Sequence, residues 1–184
     1  MRLFIAISLP EDVQDSLAGL VSGLPGARWV APENLHVTLR FLGEIDGRDA
    51  QDIDAALEEI RVPAFPMTIS GVGRFGDGKK VRQLWAGVEP HPNLVRLQSK
   101  VESAVVRSGQ PPERRKFKPH VTLARFKSRP GPRLGDYLTA HGLFRLPPFE
   151  VESFALYSSF LSSSGSIYSE EAVYALTHEA AAAD

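Results

Sequence analysis

The chain carries one tetrapeptide twice. His36-Val37-Thr38-Leu39 returns as His120-Val121-Thr122-Leu123, 84 residues later, in a chain of 184. Five histidines make ten pairs. With roughly 6% identity per position from ordinary composition, three further matches arise about three times in a thousand by chance. The repeat divides the chain into halves of similar length and predicts two pseudo-symmetric lobes. On a strand, side chains at i and i+2 share a face. His36 and Thr38 then project together, as do His120 and Thr122, while Val37, Leu39, Val121 and Leu123 turn into a core.

The surrounding pattern supports lobes of α+β type. Leu3 to Leu9 is a continuous apolar run and reads as a central strand. Pro10-Glu-Asp opens a helix with Val13, Leu17, Leu20 and Val21 at helical spacing. Trp29-Val30 is short and extended, Leu35–Phe41 alternates as a strand, and Asp49–Ile60 is helical. Phe65–Val72 reads as one strand, Gly71–Lys80 as a Gly-rich charged loop, and Leu84–Val88 as a further strand. The second half repeats the rhythm. A helix carries Leu94, Leu97, Val101 and Val105, a strand spans Phe117–Phe126, and Leu134–His141 is a short helix. Phe149–Tyr157 and Ile167–Leu176 are strands joined by the serine-rich loop Ser158–Gly165. Strands outnumber helices and alternate with them. We expect two pseudo-symmetric antiparallel sheets with outer helices enclosing a central cleft, as one bilobal domain over residues 1–184. Ala180–Asp184 is expected to be a frayed tail.

Composition narrows the chemistry. With no cysteine, disulfides, thiolate metal sites and thiol nucleophiles are excluded. The Leu3–Leu9 run is too short to span a bilayer and is followed by Pro10, Glu11 and Asp12, not by a small-residue cleavage site. A cytoplasmic monomer with no membrane partner is expected. Net charge is −1 but unevenly spread. Residues 111–133 hold eight Lys or Arg and one Glu, while residues 1–60 hold four basic and eleven acidic side chains. A basic stretch therefore lies beside His120, as a phosphate chain requires; a solvated charged face reads the same way.

Two imidazoles across a cleft are suited to a phosphodiester. One accepts a proton from the nucleophile and the other donates one to the leaving oxygen, while threonine hydroxyls bond the phosphate oxygens. A packing motif preserved by duplication is the plainer alternative. No third histidine or carboxylate stands at ligand spacing near either motif, so no metal is expected. His91, His141 and His178 are expected to be solvent-exposed. Arg125 stands five residues after His120, on the opposite face by strict alternation. A bulge after Thr122 would re-aim it at the phosphate. Phe41 stands five beyond His36 and either stacks on a base or joins the core. Tyr168 and the Gly73–Lys80 loop are further candidates for substrate contact.

The paired His-x-Thr-x motifs resemble the 2H phosphoesterase superfamily. Wider matches narrow the resemblance to the bacterial and archaeal 2′-5′ RNA ligase (LigT, ThpR) branch. They are Asn34-Leu-His-Val-Thr-Leu-Arg-Phe-Leu-Gly-Glu44, Leu84-Trp-Ala-Gly-Val88, Lys118-Pro-His-Val-Thr-Leu-Ala-Arg125 and the opening Arg2-Leu-Phe-Ile-Ala-Ile7. The resemblance implies a metal- and cofactor-independent RNA 2′,3′-cyclic phosphodiesterase that yields 2′-phosphomonoesters. Its substrates would be RNA ends such as tRNA halves, with reversible ATP-independent 2′-5′ ligation as an accompanying activity. It implies His36 as proton donor to the leaving 3′-oxygen, His120 as proton acceptor from water, and Thr38 and Thr122 on the phosphate, with Arg125 and Phe41 contacting substrate. A non-catalytic binder of RNA ends and an esterase of small cyclic nucleotides remain as alternatives.

Overall fold

A computed structural model describes residues 1–77 and 80–178; the tail Ala180–Asp184 lies outside the described residues. The described elements run β1 (Arg2–Ser8), α1 (Glu11–Leu17), β2 (Ala27–Trp29), β3 (His36–Glu44), α2 (Gly47–Glu58), β4 (Phe65–Met67), β5 (Ile69–Phe75), β6 (Gln83–Val88), α3 (Pro92–Arg107), β7 (His120–Phe126), α4 (Arg133–Ala140), β8 (Phe149–Val151), β9 (Ser153–Ser162) and β10 (Gly165–Ala175). The fold is α+β, and all named strands pair antiparallel.

The repeated tetrapeptide is the seam of the molecule. One half-sheet runs β10-β9-β1-β3 and the other β7-β6-β5, with β2 added to β7. They touch through one residue pair, Val37 with Val121, the two valines of the repeat. Antiparallel register around that pair sets His36 on the side of Thr122 and Thr38 on the side of His120. With a single pair as hinge line, the half-sheets part on either side of it and leave a cleft. A separate two-stranded sheet pairs β4 with β8.

Each strand of the seam bulges at the same place. On β3, Ala6 pairs with Thr38 and Ile5 with Arg40, so Leu39 has no partner. On β7, Trp85 pairs with Thr122 and Leu84 with Ala124, so Leu123 has none. Two consecutive inward residues follow each threonine: Leu39 and Arg40, then Leu123 and Ala124, all buried. A bulge resets the alternation. It returns Phe41 and Arg125 to the face of the histidines.

β1 is buried on both faces, which explains its unbroken apolar sequence. Leu3, Ile5 and Ile7 join the core shared with Ile53 and Leu57 of α2 and with Leu97, Val101 and Val105 of α3. Phe4 points the other way, beneath the cleft, against the rings of His36, Phe41 and Tyr168.

Several expectations need correction. Phe65–Val72 is two strands in two sheets, because β4 leaves to pair with β8 before β5 begins. The first half of the Gly71–Lys80 loop is strand. Gly73 sits within β5 beneath the Trp85 indole, where a Cβ would come within 2.3 Å of the ring. The serine-rich loop is only Ser163-Ser164, since Ser158–Ser162 belong to β9. The strand expected from Phe117 begins at His120. His91 is half-buried, capping α3 with Nδ1 and stacking on Phe65. His141 is half-buried against Tyr137, while His178 is exposed. No helix of the described residues is long and apolar enough to cross a membrane.

Candidate active site

The four groups of the repeat meet in a cleft of about 690 Å³ that opens along the seam. Each imidazole is held by the backbone two residues earlier. His36 Nδ1 lies 2.6 Å from the Asn34 carbonyl, and His120 Nδ1 lies 2.6 Å from the Lys118 carbonyl. A carbonyl only accepts, so both Nδ1 atoms carry the proton and both Nε2 atoms are left for the cleft. His36 Nε2 is 2.9 Å from Thr38 Oγ1. The Gln83 amide donates to Thr122 Oγ1 and lies 3.5 Å from His120 Nε2. Aromatic rings fix the imidazole planes: Phe4 and Tyr168 at 5.1 and 5.6 Å from the His36 ring, Phe75 at 4.8 Å from that of His120.

Burial lowers the pKa of both histidines below the ordinary imidazole value. The backbone carbonyls partly oppose it, and the Arg125 guanidinium lowers both further. A charge on His120 also disfavours one on His36. The unliganded site therefore favours two neutral rings. A phosphate anion arriving between them would relieve the cost of charging one.

Arg125 lies in the cleft with the histidines, and the Leu123 bulge is what puts it there. Phe41 also lines the cleft, 54% exposed instead of in the core. Tyr168 lies against His36. Of the Gly73–Lys80 segment, Phe75 reaches this cleft. The structure thus brings together His36, Thr38, His120, Thr122, Arg125, Phe41 and Tyr168. Among the described residues, no three metal-binding side chains are gathered.

Gln83, Phe4 and Arg40 are not singled out by the sequence pattern, and Phe75 enters only as part of the Gly73–Lys80 loop. Gln83 reaches the cleft because β6 registers it opposite Arg125, a pairing that no local pattern shows. Arg40 is buried by the bulge and was not legible. Its Nε donates to Glu102 at 2.6 Å, and its other nitrogens donate to the carbonyls of Phe41 and Pro111. Glu102 also accepts the Glu113 N–H at 2.8 Å. This partly buried pair thereby ties down the segment that carries Arg115, Lys116 and Lys118 along the cleft wall. Removing one partner of such a pair leaves a charge unpaired. Glu102→Gln is expected to lower stability by about 2 kcal/mol in urea denaturation, whereas Lys116→Gln changes it by less than about 0.5 kcal/mol.

Comparison with known proteins gives one consistent result. The family model described as LigT like Phosphoesterase matches residues 7–85 and 87–168. An Archaeoglobus fulgidus protein named RNA 2′,3′-cyclic phosphodiesterase is 32% identical over 177 residues, covering 95% of this chain and 99% of its own length. An Escherichia coli protein of the same name is 30% identical over 186 residues, covering 96% and 97%. Among solved structures, E. coli LigT complexed with 3′-AMP superposes with a TM-score of 0.80 at 29% identity, over 96% of this chain and 98% of that one.

Proposed function

The chain belongs to the LigT-like phosphoesterase family, and from that membership we propose that it hydrolyses RNA 2′,3′-cyclic phosphate ends to 2′-phosphomonoesters. The observation that carries the reading is the pair of matched imidazoles. Both have Nδ1 committed to a backbone carbonyl and Nε2 turned to one cleft that also holds Arg125.

The chemistry follows from those atoms. The cyclic phosphate sits between the Nε2 atoms, its non-bridging oxygens met by Thr38, Thr122 and Arg125. Water attacks phosphorus and gives its proton to His120 Nε2. The bond from phosphorus to the 3′-oxygen breaks, and His36 Nε2–H protonates that oxygen. The product carries a 2′-phosphate and a free 3′-hydroxyl. The geometry is symmetric about the seam, so the assignment of donor and acceptor rests on the motif resemblance. Proton transfers of this kind contribute about 10²–10⁴-fold each. No step calls for a metal, and the cyclic ester itself supplies the energy for attack by a 5′-hydroxyl in place of water. The chain would act as a cytoplasmic monomer, with Phe41 beside the terminal base.

The test uses two oligoribonucleotides in EDTA, one ending in 2′,3′-cyclic phosphate and one beginning with 5′-hydroxyl. The expected product is the 2′-phosphate, and a joined 2′-5′ strand would add ligase activity. Binding of the cyclic end with no turnover would overturn the reading in favour of a non-catalytic binder.

A further inference from the structure

A second groove, of about 920 Å³, adjoins the catalytic cleft and shares Phe41, Arg125 and Tyr168 with it. Its floor is the opening of β1, and its outer wall is the hairpin of β9 and β10. That hairpin touches the site. Asn34, whose carbonyl holds His36, donates through its side-chain amide to the Ser166 carbonyl at 2.9 Å. Tyr168 on the same hairpin packs edge-on against His36 and Phe4.

The groove is chemically unlike the basic wall at residues 114–118. Leu161 is 78% exposed and, by the β9–β10 register, shares its face with Ser159, Ser166 and Tyr168, whereas Phe160, 68% exposed, alternates to the other face with Ile167. Ser159 and Ser166 line the groove beside them, and Arg2 lies on its floor. The carboxylate at its edge, Glu44, lies 3.6 Å from the N-terminal ammonium. Exposed apolar faces interleaved with hydroxyls and guanidinium groups suit single-stranded nucleic acid, where bases stack and the backbone is met by polar and cationic groups.

We infer that this groove holds the nucleotide on the 5′ side of the terminal one. The inference rests on the phosphodiesterase reading of the cleft. A terminal ribose with its cyclic phosphate between the histidines directs its 5′ phosphate out of the cleft. The guanidinium common to both spaces, Arg125, stands where that phosphodiester crosses. Beyond it the preceding base packs on Leu161, and its ribose meets the hydroxyls of Ser159 and Ser166. The protein would read the last two nucleotides of an RNA end and not the cyclic phosphate alone.

Three substrates test this: adenosine 2′,3′-cyclic phosphate, the ApA dinucleotide ending in the same cyclic phosphate, and that dinucleotide with an abasic 5′ residue. Base stacking is worth about tenfold per base, so kcat/KM for the dinucleotide should exceed that for the mononucleotide by about tenfold or more. The abasic dinucleotide should lose most of that advantage. In Leu161→Ser, the dinucleotide should fall to within about twofold of the mononucleotide, whose own rate is unchanged, and Phe160→Ser, on the other face of the ribbon, should leave both rates unchanged. Equal kcat/KM for mononucleotide and dinucleotide in the unmodified protein overturns the inference and leaves the phosphodiesterase reading standing. Equal losses on both substrates in Leu161→Ser also overturn it. Turnover of neither substrate overturns both readings.

Discussion

Replacing His36 or His120 by alanine is expected to lower kcat about a thousandfold each, the middle of the range for a positioned proton carrier. The double variant should be little slower than either single one, because donor and acceptor act in one step and groups that act as a unit are not additive. Stability should change little. Both rings line an open cleft, and the Val37–Val121 pair, not the histidines, joins the half-sheets. Steady-state kinetics with a cyclic phosphate substrate, beside thermal unfolding of the same variants, checks this. Losses that multiply in the double variant would mean two independent roles.

The second large effect belongs to Arg125. Its charge lies beside both histidines and lowers the pKa of each. Arg125→Gln should lower kcat/KM by about a hundredfold, the scale of removing one charge-stabilising donor. The same substitution should move the pH profile. In the unmodified protein both imidazoles titrate below about 6.5, so the bell in kcat/KM should peak on the acid side of that value. A positive neighbour disfavours the imidazolium. Taking it away raises both pKa values, and both limbs shift to higher pH. Arg125→Lys keeps the charge and should leave the limbs in place while losing the forked geometry. An Arg125→Gln enzyme with unmoved limbs would show that the guanidinium binds without tuning the site.

Much of this arrangement was legible in the sequence because it is periodic or repeated. The duplicated tetrapeptide announced two halves, and strand alternation put each histidine beside its threonine. Helical spacing located α1, α2 and α3. What stayed hidden depends on pairing between distant strands. Only the register of β3 with β1 and of β7 with β6 shows that Leu39 and Leu123 are bulged, and so why Phe41 and Arg125 turn back to the cleft. Strict alternation placed Arg125 on the wrong face and left Phe41 between core and cleft for the same reason. The Phe65–Val72 run was split by a partner 84 residues further on, β8, which no local pattern reveals. The hairpin of β9 and β10 is legible, but its tip is not: serine is a common turn residue, so Ser158–Gly165 reads as loop, whereas Ser158–Ser162 and Gly165 continue the ribbon as strand. The partly buried Arg40–Glu102 pair spans 62 residues and had no sequence signal at all.

One measurement bears on the whole account: hydrolysis of adenosine 2′,3′-cyclic phosphate in ¹⁸O-labelled water with EDTA, followed by ³¹P NMR and mass spectrometry of the product. Attack by water with His36 protonating the 3′-oxygen predicts adenosine 2′-monophosphate with one ¹⁸O on phosphorus, formed about a thousandfold more slowly by His36→Ala. A 3′-monophosphate, or the same rate of labelled product from His36→Ala, would contradict it.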